Sequence, residues 1–193
     1  MSRFLRASVF LLLLASCGGG EFSAPRNLDS ACSIVRERPK YYRAMKATER
    51  RWGIPVSVQM ATIHQESRFI GDAKTPHKYL LGIIPMGRQS SAFGYSQALD
   101  GTWEEYRKEQ RRYSARRDRI SDATDFMGWY MDKSEKGLGI SKWDARGHYL
   151  AYHEGRTGFA RGSYKNKPWL LAVADKVADR EYLYRSQLAS CRR

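Results

Sequence analysis

The sequence predicts a mainly α-helical domain, and three observations predict it. Apolar residues recur at helical rather than alternating spacing from Pro39 to Leu188, and glycines and prolines punctuate these stretches where helices would end. A single segment, Tyr79 to Ile84, reads as a strand. The chain of 193 residues has room for a leader and one domain, since domains usually run about 100 to 200 residues.

The first predicted helix opens at Pro39, a residue suited to a first turn. It turns Tyr42, Met45 and Trp52 to one side and stops at Gly53 and Pro55. The second runs from Pro55 through Val56, Val58, Met60, Ala61 and Ile63 toward Ser67. It is apolar around most of its circumference and is expected at the centre of the core, with Glu66 at its end. Residues 71–95 contain Pro76, Gly82, Pro85, Gly87 and Gly94 and are expected to form a long loop or small hairpin. Thr102-Trp103-Glu104-Glu105 fits a capping box, and its helix runs into a basic stretch expected to be a solvated face, with Arg107, Lys108, Arg111, Arg112, Arg116 and Arg117. Ser121 and Ser141 are the expected caps of the next two helices. Gly137 and Gly139 stop the first and Gly155 closes the second. From Pro168 a last helix carries Trp169, Leu170, Val173, Val177, Tyr184 and Leu188 to Cys191, making about six helices in all.

The N-terminus reads as an export signal. Arg3 and Arg6 precede an apolar run from Ala7 to Ala15, too short for a membrane span, which takes about 20 apolar residues. The run ends Leu14-Ala15-Ser16-Cys17, followed by Gly18-Gly19-Gly20. This resembles the lipobox of bacterial lipoproteins, which implies removal of residues 1–16 and acylation of Cys17. Residues 17–35 then form an acylated tether and residues 36–193 the domain. Gly18 stands where an inner-membrane retention aspartate often sits, so the resemblance implies an outer-membrane anchor facing the periplasm. The alternative is an ordinary signal peptide with a chance cysteine. Two cysteines remain, and in an oxidising compartment Cys32 and Cys191 are predicted to bridge, free thiols being the alternative.

The net charge is +14, or +12 once Arg3 and Arg6 are removed. An exported basic chain meets wall polymers and anionic lipid rather than nucleic acid. No nucleic-acid partner is therefore expected, and the charge supports envelope localisation.

Glu66 is the candidate catalytic residue. A carboxylate after the apolar turn of a core helix costs free energy unless it is neutral or paired, and burial would lift its pKa toward that of a general acid. Position alone leaves open a surface ion pair with Arg68. Glu154 is a candidate second carboxylate, with a solvated helix end as its alternative. His64 faces away from Glu66, and no His or Cys offers metal-ligand spacing, so neither a metal nor another cofactor is expected. Trp103, Trp143 and Trp169 are expected to be packing residues.

Three segments then bear on family. Ala61-Thr62-Ile63-His64-Gln65-Glu66-Ser67-Arg68-Phe69 resembles the catalytic helix of the soluble lytic transglycosylases, which have a goose-type lysozyme-like fold. Gly94-Tyr95-Ser96-Gln97 is similar to that family's Gly-Leu-Met-Gln motif. Ala151-Tyr152-His153-Glu154-Gly155 is similar to its Ala-Tyr-Asn-x-Gly motif. The resemblance covers roughly residues 40–180, with the three segments in the family's order.

It implies a lysozyme-like helical domain, peptidoglycan glycan strands as substrate and Glu66 as catalytic acid/base. Gln97 and Tyr152 would line the cleft, with Tyr95, His153 and Glu154 as further substrate-binding candidates. Ser96 and His153 depart from the motifs, and the link between Glu66 and Gln97 is longer than usual. In the implied reaction one carboxyl cleaves the bond between N-acetylmuramic acid and N-acetylglucosamine and leaves a 1,6-anhydro end. A hydrolytic lysozyme on the same fold, a non-catalytic wall-binding lipoprotein and an anionic-lipid or polyanion binding module are the alternatives. The sequence leaves the oligomeric state open.

Overall fold

A computed structural model of the chain describes residues 22–80 and 84–191. The described residues form helices α1 (Ala31–Glu37), α2 (Pro39–Trp52) and α3 (Val56–Ser67), then a hairpin of β1 (His77–Leu80) and β2 (Ile84–Arg88). Helices α4 (Asp100–Glu109), α5 (Ile120–Leu138) and α6 (Ala145–Ala160) follow, then a 3-10 turn, Ser163–Asn166, and α7 (Pro168–Ser190). The expected mainly helical fold is present. None of these helices is long and apolar enough to cross a membrane. Cys17 lies outside the described residues.

Helix α3 is the hub, with Val58, Met60, Ala61 and Ile63 fully buried. It packs on α7 and more lightly on α2, α5 and α6, while α2 packs along α5. A helix apolar all round requires neighbours on every side, and these helices supply them. A second part of the core is aromatic: Trp103, Tyr106, Phe126, Trp129, Tyr130 and Tyr152 meet tilted or edge to face at centroid distances of 5.0–6.4 Å.

The structure departs from the sequence-based boundaries in several places. Helix α1 occupies part of the expected tether. Ser30 Oγ caps it by accepting from Ser33 N at 3.1 Å, and buried Ala31 and Ile34 fasten it to the body. The Cys32–Cys191 disulfide and the Gln187 side chain, which accepts from Ala31 N at 2.6 Å, then join α1 to α7.

Other caps also differ. Thr102 lies inside α4, which starts at Asp100, and Ser121 lies inside α5. Asp144, not Ser141, caps α6 by accepting from Gly147 N at 2.8 Å. Gly155 kinks α6 rather than ending it, at φ 72° and ψ 156°, a conformation open essentially only to glycine. Residues 71–95 do contain a hairpin, an antiparallel pair with His77 opposite Arg88.

The basic stretch is not simply a solvated face. Arg112 donates to Asp125 at 2.7 Å and pairs with Asp122 at 3.3 Å; both acids are buried. Arg117 donates to the carbonyls of Ser91 and Ala98 at 3.0 and 2.8 Å and pairs with Asp100 at 2.8 Å. Buried carboxylates need such partners, and Arg112 supplies one to both Asp122 and Asp125.

Candidate active site

Hydrogen bonds along α3 set the position of Glu66. Gln59 Nε2 donates to Met45 O at 3.0 Å and to Ile54 O at 2.8 Å, and Ser57 Oγ donates to buried Glu181 at 2.8 Å. With the helix anchored, Glu66 falls on its last turn, one residue before buried Ser67. The chain reverses through Arg68 and Phe69, both at positive φ, 51° and 62°. That conformation is uncommon for non-glycine residues. The fully buried Phe69 ring, stacked on Tyr41 at 5.9 Å, holds it in place.

Glu66 is half-buried on the last turn of α3. Among the described residues no cation or hydrogen-bond donor pairs with it, so the ion pair with Arg68 does not form. Burial pushes its carboxyl pKa up to about 8. The negative end of the α3 dipole acts in the same direction. Tyr149 and Tyr152, on α6, lie near enough for a Glu66 charge to add to burial in holding both hydroxyls protonated. The Gln65 side chain lies close to the Tyr149 hydroxyl.

The other two motifs lock onto this helix end. Ser67 Oγ donates to Tyr95 O at 2.8 Å, and Tyr152 Oη donates to Ser96 O at 2.6 Å. Two consecutive carbonyls of one loop are thus held by α3 and α6. Gln97, at φ 49°, donates through Nε2 to Ala73 O at 2.9 Å and Gly94 O at 2.8 Å. Its amide therefore braces the loop. Gly94, at φ 80°, passes so close to Arg117 that a Cβ there would meet the Arg117 carbonyl oxygen at 2.2 Å.

Tyr95, a substrate-binding candidate in the sequence, turns away from this region. It is 2 % exposed, and its hydroxyl shares a hydrogen bond of 3.0 Å with that of Tyr41. An aromatic ring in that position packs the core, and its backbone carbonyl is what serves the site. Ser96 is fully buried, and its Oγ has no hydrogen-bond partner among the described residues.

Glu154 is committed to other groups. Lys167 Nζ donates to it at 2.8 and 2.9 Å, Ser163 Oγ donates to it, and His153 Nδ1 lies 3.1 Å away. The hydrogen bond from Lys167 leads these in holding its pKa at about 2. The carboxylate ties the Gly155 kink to the start of α7. His153 is exposed, with its ring edge-on to Trp169 at 5.2 Å and tilted against Tyr149 at 6.4 Å. Trp103 packs inside as expected, whereas Trp143 and Trp169 are 58 % and 56 % exposed.

Sequence reasoning missed Tyr149 and the loop-holding role of Ser67. The signal for Tyr149 was its position three residues before Tyr152, which puts both on one face of α6. His64 meets the edge of Tyr184 at 6.3 Å, and burial lowers its pKa to about 4.

The chain was then compared with known proteins. The family model of the transglycosylase SLT domain matches residues 5–191. The protein belongs to the transglycosylase SLT-domain family. No individual curated protein matches the sequence. The SLT-domain assignment gives a peptidoglycan-acting, lytic transglycosylase-type function and a lysozyme-like helical fold. In this SLT domain the three motif segments are joined by the hydrogen bonds of Ser67 and Tyr152.

Proposed function

We propose that this SLT domain cleaves the β-1,4 bond between N-acetylmuramic acid and N-acetylglucosamine to leave a 1,6-anhydro end, with Glu66 as its one acid/base. The observation that carries this reading is the unpaired Glu66 carboxyl beside Tyr149 and Tyr152, with a pKa of about 8. At neutral pH it is mostly protonated, the form a general acid needs.

Glu66 gives its proton to the glycosidic oxygen as the bond to muramyl C1 breaks, and N-acetylglucosamine departs as the alcohol. The carboxylate then takes the proton of the muramyl C6 hydroxyl, whose oxygen bonds to C1. Glu66 ends protonated, and no water is consumed. Nucleophile and electrophile share one ring, so the step has the advantage of an intramolecular reaction. A hydrolytic course with a second carboxylate is disfavoured by the engagement of Glu154 with Lys167 and Ser163. Gln97 and Tyr152 order the loop that faces the glycan, and exposed His153 is offered as a substrate contact. Acylation of Cys17 anchors the domain in the cell envelope, at the outer membrane facing the periplasm.

The test is digestion of purified peptidoglycan by the protein and by Glu66→Gln, with the released muropeptides weighed by mass spectrometry. Anhydro-muramyl products from the wild type alone are expected. Reducing ends would replace this reading with a lysozyme, and wall binding without products would replace it with a non-catalytic binder.

A further inference from the structure

Tyr95 and Tyr41 also form part of the wall of a cavity of about 1020 Å³ that Glu66, Gln97 and Tyr152 do not line. Its charge is strongly biased. Arg38, Lys40, Arg43, Arg116 and Arg119 line it, against two acids, Glu37 and Asp118. Both acids already have partners: Asp118 accepts from Arg116 at 2.9 and 2.7 Å, and Glu37 accepts from Arg26 N at 3.0 Å and lies 3.6 Å from Arg38. Lys40 and Arg43, one turn apart on α2, have no ion-pair partner among the described residues. The buried Nε of Arg38 makes no hydrogen bond among the described residues and faces the Glu37 carboxylate only at ion-pair distance, 3.6 Å. An anion in the cavity would supply the hydrogen bond that Glu37 does not complete. The wall also holds Phe22 and Ile120, so the lining is partly apolar.

We propose that this cavity receives the phosphate headgroup of an anionic membrane phospholipid and so docks the domain on the bilayer. The length of chain between Cys17 and the cavity favours a lipid source. Phe22 stands in the cavity wall, and its carbonyl accepts from Gly71 N at 3.0 Å. Cys17 is five residues upstream, and five residues extended span at most about 18 Å. An acyl anchor on Cys17 therefore keeps the cavity within that distance of the headgroups. Surface charge decays over about 8 Å at physiological salt, and a tether of this length lets these cations come within that range of the headgroups. This step rests on the proposed anchor. Intact mass of the exported protein reports acylation of Cys17 separately, so failure of the anchor and failure of the cavity reading are told apart.

The test is amide hydrogen exchange on the full chain held in vesicles of phosphatidylcholine, with or without phosphatidylglycerol. Exchange within residues 37–44 and 116–122 is expected to slow by about tenfold in the anionic vesicles. The slowing should be lost in the Lys40→Glu/Arg43→Glu variant, whose activity on isolated peptidoglycan should remain that of the wild type. Both substitutions are at exposed positions and leave the core intact. Equal exchange in the two vesicles overturns the proposal. So does equal slowing by inorganic phosphate or by soluble muropeptides over phosphatidylcholine, which would make the cavity a site for a small anion or for wall fragments.

Discussion

Ser67 Oγ donates to Tyr95 O at 2.8 Å across 28 residues of sequence, tying the turn that carries Glu66 to the loop that carries Gln97. The bond is buried, and removing the hydroxyl costs about 1–2 kcal/mol. Ser67→Ala is expected to lower stability by that amount in denaturant melts. It should also lower kcat more than it raises KM, because the loop is displaced relative to the acid. A purely structural role would lower the melting point and leave both kinetic constants of the folded fraction unchanged.

Glu66 is expected to have opposite effects on stability and activity. Its pKa rises from 4.5 in the unfolded chain to about 8 in the fold. The folded state therefore holds the proton more tightly, and this contribution is full below about pH 4.5 and is lost as pH rises through 8. Glu66→Gln removes that dependence. Its stability should exceed the wild type's by about 1–2 kcal/mol at neutral pH, a figure reduced because Glu66 is only half-buried, and the gap should close toward pH 4.5. Activity should fall by about 100-fold or more. In the wild type, turnover should decline above about pH 8 as the acid form is lost. A pH-independent stability difference between the two proteins would contradict the assignment of this pKa to Glu66.

Gly94 is held to glycine on two counts, its positive φ and the Arg117 carbonyl 2.2 Å from where a Cβ would stand. Gly94→Ala must move backbone, and a cost of about 2–4 kcal/mol is expected in thermal melts. Because Gly94 O also receives the Gln97 amide, the loss should carry into activity on peptidoglycan. An alanine variant with wild-type stability would mean that the loop yields at little cost.

The sequence made the helical core legible because α3 is apolar all round and α2 and α7 begin at prolines, both local signals. The site was legible through motif residues, but their division of labour was not. Tyr95 reads like a cleft aromatic, and only the tertiary contact with Tyr41 shows that its ring belongs to the core. Arg112 reads as part of a solvated face because its partners, Asp122 and Asp125, lie on another helix. Caps were misplaced where a backbone-only start, as at Arg119, or a nearby acid, as at Asp144, supplanted a plausible serine.

Glu154 separates the single-acid reaction from a hydrolase that uses two carboxylates. With Lys167 and Ser163 bound to it, its role is to hold the Gly155 kink against the start of α7. Its lowered pKa, about 2, contributes stability that is full above about pH 4.5 and is lost as pH falls toward 2. Glu154→Gln should therefore lose stability relative to the wild type at neutral pH, with the difference narrowing on acidification. Measured at a temperature where the variant is folded, its rate of anhydro-product release should stay within about threefold of the wild type, whereas loss of a second catalytic carboxylate costs about 100-fold or more. A loss of that size, with reducing ends in the residual products, would make Glu154 part of the chemistry and the enzyme a hydrolase.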